Sequence, residues 1–267
     1  MRIIISIMLY ACIAIVVLSS SIVYSESTAE QMLIHKNTPI YKHKFIVDGV
    51  EKYYYFYVVE KMSICADGAP DAYNKDDTGL DSLANAGFPC KCWRNVLIPD
   101  PDDCTIPYAR RTGKYKDYYI SGTKLSDETK VEIDEGKYVN ATEIPYIVFP
   151  GKIFHARGTG RFGDFGIAYN LNKKIPAHFI VAELGGEDDD LGEVSIRLAA
   201  MLGGTNPNPR NGRGAPEGKI LYVVFPYSEL SPKWPHTDNE IKDRVDELVR
   251  SAGGLEKIIE TYTSVSQ

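Results

Sequence analysis

Two glutamates carry the most chemistry in this chain. Glu183 closes the apolar run Ile180-Val181-Ala182 and precedes Leu184-Gly185-Gly186; Glu193 follows ten residues later, directly after Gly192. A carboxylate at the end of a strand and another at the start of a helix can converge across the turn between them. Apolar strand neighbours raise a carboxyl pKa, whereas the positive end of a helix lowers one. A pair split in this way suits a general acid and a general base. Glycosidic cleavage uses such a pair, with carboxyl groups about 6.5–9.5 Å apart for inversion and about 5 Å for retention. The run Glu187-Asp188-Asp189-Asp190 between them reads as a solvated turn, and its composition also permits a calcium loop.

Other apparent motifs carry less. Gly158-Thr159-Gly160-Arg161-Phe162-Gly163 has the spacing of a dinucleotide fingerprint, and Asp164-Phe165-Gly166 that of a kinase magnesium loop. A phosphate site of the first kind must open a helix after its glycines. Here Ile167-Ala168-Tyr169 reads as strand, and no catalytic H-R-D follows in kinase order. These are loop glycines. The histidines (His35, His43, His155, His178, His236) are scattered without ligand spacing, so no metal is expected, and no cofactor. A serine hydrolase lacks its G-x-S-x-G elbow. Asn140-Ala141-Thr142 is a glycosylation sequon.

The elements that must position Glu183 and Glu193 follow from pattern. Tyr41–Val47 and Tyr53–Val59 flank Asp48-Gly49, which predicts a β-hairpin over 41–59. Strands are expected at Tyr118–Ile120, Tyr146–Phe149, Ile167–Asn170, His178–Ala182 and Ile220–Phe225. A helix is predicted from Glu193 to Leu202, stopping at Gly203-Gly204. Thr237-Asp238-Asn239-Glu240 is a capping box, and Ile241, Val245, Leu248 and Val249 form the apolar stripe of a C-terminal helical tail over 237–260. The fold class is α+β: a strand-rich single domain over 26–267, with its catalytic core at 118–226.

Composition sets the outer limits. The 267 residues are 44% hydrophobic and 25% charged, which excludes wholesale disorder and a multi-span membrane protein. The formal charge of −6, without a basic block, argues against nucleic acid as a partner. Arg2, the apolar run Ile3–Leu18 and the small residues before Glu26 describe a secretory signal peptide over 1–25. The mature chain is then expected to be secreted, extracellular or periplasmic, with no membrane attachment after cleavage. Removing those residues takes away Arg2 and no acid, leaving 29 basic and 36 acidic residues and a charge of −7. It also takes away Cys12, one of five cysteines, leaving Cys65, Cys90, Cys92 and Cys104.

An even cysteine count in an exported chain predicts two disulfides bracing the Asp/Gly-rich loop region 65–104. A bridge between Cys90 and Cys92 would be strained. Two connectivities remain, each linking one of that pair to Cys65 and the other to Cys104. Zinc is the weaker reading, because C-x-x-C spacing and a neighbouring histidine are missing.

A series of short motifs, in order, resembles the chitosanases of glycoside hydrolase family 75. They are Cys65-Ala66-Asp67-Gly68-Ala69-Pro70-Asp71-Ala72-Tyr73, Thr78 to Gly87 with Asp81 and Asn85, and Ile144-Pro145-Tyr146-Ile147-Val148-Phe149-Pro150-Gly151. Gly163-Asp164, Val181-Ala182-Glu183-Leu184-Gly185, Leu191-Gly192-Glu193-Val194-Ser195, Leu221 to Pro226 and Trp234-Pro235 continue the order. The resemblance spans roughly residues 60–257. It implies an endo-acting, inverting hydrolase of β-1,4-linked glucosamine polymers, with Glu183 and Glu193 as the acid–base pair. Glu183 stands where the family pattern has Asp, Gly186 where it has Pro, and Cys65 where it has the first Asp of Asp-x-Asp-Gly. The strand–turn–carboxylate–helix order further resembles the double-psi β-barrel of secreted cell-wall hydrolases.

On this reading Asp67 and Asp164 bind glucosamine ammonium groups, and Tyr73, Trp93 and Trp234 stack on sugar rings. The expected partner is a cationic amino-sugar polysaccharide, chitosan first, which the acidic charge would attract. The alternatives are a hydrolase of another polymer, such as peptidoglycan, and a non-catalytic glycan-binding descendant.

Overall fold

The computed structural model describes residues 29–266. The expected signal peptide and Cys12 lie outside the described residues. The centre of the molecule is one nine-stranded sheet built from β1 (Glu30–His35), β2 (Thr38–Val47), β3 (Val50–Val59), β4 (Ser63–Cys65), β5 (Tyr146–Phe149), β6 (Phe165–Asn170), β7 (Ile175–Leu184), β8 (Glu193–Ser195) and β9 (Ile220–Phe225). Its order is β1-β2-β3-β9-β6-β7-β5-β8-β4. Neighbours are antiparallel except β5 with β7 and β4 with β8, which are parallel. Among the described residues four α-helices accompany it: α1 (Gly151–Phe154), α2 (Ile196–Met201), α3 (Asp238–Ser251) and α4 (Leu255–Val265). The class is α+β and strand-rich, as the pattern predicted.

The hairpin of β2 and β3 turns at Asp48 and Gly49, with φ of +50° and +75°. Two consecutive left-handed residues match the right-handed twist of the strands they join, and Val47 pairs directly with Val50. Strands β3 and β9 pair residue by residue at the centre of the sheet, and both their faces are covered. Tyr54, Phe56, Val223 and Phe225 face Ile241, Val245 and Ile258 of the C-terminal helices. Tyr55, Tyr57, Tyr222 and Val224 face the side covered by Leu198 and Ala199 of α2. Burial on both faces is why these strands read as unbroken apolar runs. It also employs several of the chain's 18 tyrosines: Tyr54, Tyr55, Tyr57, Tyr146 and Tyr222 are fully buried, and Tyr57 stacks on Tyr222 at 5.2 Å.

Three expectations are corrected. Residues 193–195 form β8, and the helix begins only at Ile196. Ser195 is its N-cap, accepting the amide of Leu198 at 3.1 Å, while Val194 is claimed by pairing with Ile147 and Ile64. The capping serine therefore starts the helix three residues after Glu193. Tyr118–Ile120 forms isolated bridges, Asn74 with Tyr118 and Ala109 with Tyr119, instead of a continuous strand. The helical tail is two helices separated at Gly253 and Gly254, both at positive φ, and it runs on to Val265.

The disulfide expectation is corrected as well: Cys65, Cys90, Cys92 and Cys104 are all free thiols. Cys65 lies in β4, its sulfur accepting the Tyr146 hydroxyl at 3.3 Å and the Asp67 amide at 3.4 Å. Cys90 instead caps the 3-10 turn Lys91–Asn95, accepting the amide of Cys92 at 3.2 Å. Arginines brace the long loop region in their place. Arg94 donates to the carbonyl of Cys104 at 2.6 Å and Arg110 to that of Pro70 at 2.7 Å, with an ion pair from Arg110 to Glu135 at 2.8 Å. No helix among the described residues is long and apolar enough to cross a membrane.

Candidate active site

Strand β5 organises the site. Its Val148 is the register partner of Glu183 on β7 and of Glu193 on β8, so the two glutamates flank one residue from opposite sides. Between Ile147 and Val148 the β5–β7 register slips by one: Ile147 pairs with Val181, yet Val148 pairs with Glu183. Ala182 is the extra residue of a β-bulge, which re-aims the side chain after it. The bulge places Glu183 on the same face as Val148 and Glu193. With neighbouring strands about 4.8 Å apart, residues flanking a shared neighbour have Cα atoms about 10 Å apart.

Glu183, Glu193 and Val148 line one open cavity of about 760 Å³, together with Cys65, Asp67, Tyr73, Asp81, Asn85, Lys124, Asp189 and Arg210. Five carboxylates face two cations there. Glu183 is 5% exposed; its Oε2 accepts the amide of Lys124 at 3.0 Å and its Oε1 that of Leu184 at 2.7 Å. Burial, and next the charge of Asp67, push Glu183 well above the usual carboxylate range, against the pull of those amides. Glu193 is half-buried. Burial first, and then the charges of Asp67, Asp189 and Asp81, raise its pKa from 4.5 to about 7, while the Cys65 thiol hydrogen-bonds it and works the other way. The expectation that a helix end lowers Glu193 is thereby corrected, since it stands in a strand among other acids.

Asp67 is buried beside both glutamates. It accepts the Tyr73 hydroxyl at 2.8 Å, and burial also raises its pKa. Tyr73 lies 3.4 Å from Asp81 as well, and Asp81 takes Asn85 Nδ2 at 2.6 Å. Tyr146 closes the network from below, donating to the backbone carbonyl of Asp67 at 2.9 Å.

Of the residues picked from sequence, Glu183, Glu193, Asp67, Tyr73 and Cys65 come together around the cavity. Asp164, Trp93 and Trp234 do not. Asp164 is fully buried at the start of β6, accepting amides of Arg161 (2.6 Å), Ser228 (2.7 Å) and Glu229 (3.2 Å). It ties the 158–163 loop to the turn after β9. A Cβ at Gly160 would stand 2.1 Å from its carboxylate, so the glycine there is steric. Trp93 and Trp234 are 4% and 8% exposed, packed in the core cluster. Sequence reasoning missed Asp189, Lys124 and Arg210 as cavity residues. Lys124 acts through its backbone amide, and Arg210 sits in a polar loop without any motif; neither carries a signal in sequence. Asp81, Asn85 and Tyr146 stood inside the motifs already quoted, but spacing alone gave them no role.

Among the described residues no cluster of three or more His, Cys, Asp or Glu has the arrangement to hold a metal ion. No protein-family model matches the chain, and no curated protein sequence matches it.

Proposed function

We propose that the protein is a secreted glycoside hydrolase acting on an amino-sugar polysaccharide, chitosan first, by inversion at the anomeric carbon. The observation that carries this is the shared register of Glu183 and Glu193 on Val148, with both lining one open, acid-rich cavity. Flanking strands separated by one neighbour suit the wider carboxyl spacing of inversion, about 6.5–9.5 Å, better than the ~5 Å of retention.

Glu183, more deeply buried and held protonated, is the general acid that gives its proton to the leaving glycosidic oxygen. Glu193, the more open of the two, is the general base: it takes a proton from water as the water oxygen bonds to the anomeric carbon from the opposite face. Asp67 and Asp81 supply negative charge for ammonium groups, and Tyr73 orients Asp67. Asp164 has no part in this. The same reading carries the finer expectation of a double-psi β-barrel-like core, which the parallel β5–β7 and β4–β8 pairs support.

One observation favours a second reading. Both oxygens of Glu183 already accept backbone amides, which suits a non-catalytic glycan-binding protein. The discriminating experiment is reducing-end release from a glycan panel including chitosan and peptidoglycan, by wild type and Glu193→Gln. Release from chitosan by wild type, lost in the variant, is expected. Binding without cleavage by the wild type selects the second reading, and undiminished turnover in the variant removes the assignment.

A further inference from the structure

The loop between α2 and β9 makes contacts that the acid–base pair does not require. Residues 205–214 form a self-closed excursion: Thr205 N donates to Gly214 O at 2.9 Å at its base, and Asn208 N to Arg213 O at 2.9 Å above it. The base admits only glycine at 214, where φ is +74° and a Cβ would lie 2.1 Å from the carbonyl of Thr205. At the tip, Pro209, Arg210, Asn211 and Gly212 line the carboxylate cavity.

Arg210 joins this tip to a loop about 130 positions earlier in the chain. Its Nε donates to Gly79 O at 3.0 Å, and its Nη2 to Asp77 O (2.5 Å), Asp81 O (3.1 Å) and Asp77 Oδ1 (3.2 Å). One guanidinium thus spans three backbone carbonyls, a geometry its planar fork can satisfy and a lysine ammonium cannot reproduce. Its own backbone amide is fixed by Asn208 Oδ1 at 2.9 Å, so the latch is held from both sides. The far end of the latch is Asp81, whose carboxylate faces the cavity and meets Tyr73.

We infer that Arg210 is a specificity-determining residue: it latches the 205–214 loop to the 77–81 loop as a fixed wall of the sugar cleft, and this wall limits how many sugar rings bind on that side. The inference rests on the hydrolase reading for the identity of the ligand, but not for the latch itself. A chain held in an acid-lined cleft meets backbone and Asn211 at this wall in place of open solvent. Release of the wall would lengthen the cleft and weaken the positioning of short oligomers, while long chains, gripped along the carboxylates, would lose less.

The test compares wild type with Arg210→Ala, Arg210→Lys and a variant in which residues 206–213 are replaced by a two-glycine turn. Cleavage within 205–214 by a broad-specificity protease is followed by mass spectrometry on the folded proteins. Product lengths and KM are read on glucosamine oligomers of defined size and on polymer. Both Arg210 variants are expected to be nicked at least about tenfold faster in the loop. All three variants should raise KM several-fold more for short oligomers than for polymer, and should shift the product lengths. Unchanged nicking in Arg210→Ala overturns the latch, and unchanged product lengths in the loop-replaced variant overturn the wall. If no variant and no wild type cleaves any oligomer, the hydrolase reading fails separately. The latch is then judged on nicking, and the wall on hexamer affinity, which should fall several-fold in the loop-replaced variant.

Discussion

Glu193 is held near pH 7 by burial and by neighbouring acids, so the folded protein prefers it protonated. The resulting contribution to stability is fully present below the unfolded value of 4.5 and is lost as pH rises through about 7. Glu193→Gln removes the charge at every pH. It is therefore expected to match wild type near about pH 4 and to be more stable by about 1–3 kcal/mol near about pH 8, measured by urea unfolding at the two pH values. A variant less stable than wild type at the higher pH would show that Glu193 is stabilised as the anion. Glu183 makes a different prediction. Its two oxygens are spaced to meet the amides of Lys124 and Leu184, a fit that needs the full glutamate length. Glu183→Asp withdraws the carboxyl by about 1.5 Å and is expected to lower kcat on chitosan on the order of 10²-fold. A gain in activity would mean that the pocket is better suited to the shorter acid.

At the scale of elements, what was legible in sequence depended on whether local chemistry decided the outcome. The β2–β3 hairpin was legible because Asp48-Gly49 supplies the left-handed turn itself, and α3 because Thr237 and Glu240 cap each other's backbone groups. The start of α2 was misplaced by three residues: Glu193 and Val194 are helix-compatible, and only pairing with β4 and β5, from distant parts of the chain, draws them into a strand. The bulge at Ala182, which puts Glu183 on the face of the cavity, leaves no local signal at all, because it is a property of the β5–β7 register. The cysteines were misread for a related reason. Their number suggested bridges, but Cys65 is committed to Tyr146 and Asp67 inside the fold while the other three lie on the surface. A thiol-specific reagent should therefore modify Cys90, Cys92 and Cys104 of the folded protein rapidly, and Cys65, buried and with its thiol pKa raised, only on unfolding. Fewer than three fast-reacting thiols would contradict the free-cysteine arrangement.

For the molecule as a whole, the sheet does two jobs with one set of strands. Its centre, β3, β9 and β6, is covered on both faces and supplies the rigid core; its far end, β7, β5, β8 and β4, holds the acids at the cavity. Long loops from 66–145 and 205–214 build the cavity walls, so the site is assembled from segments far apart in sequence and could be read from sequence only at Glu183, Glu193, Asp67 and Tyr73. Aromatic stacking partners were the least legible. Trp93 and Trp234 serve packing, and most large tyrosines do the same, because a sheet buried on both faces needs that volume. The proposed inverting pair is Glu183 and Glu193, facing each other across Val148. It is tested most directly by following the anomeric configuration of the first products from a glucosamine hexamer by proton NMR, before mutarotation. The α-anomer is expected from wild type, with none formed by Glu193→Gln. First appearance of the β-anomer, or product formation by the variant at the wild-type rate, would contradict it.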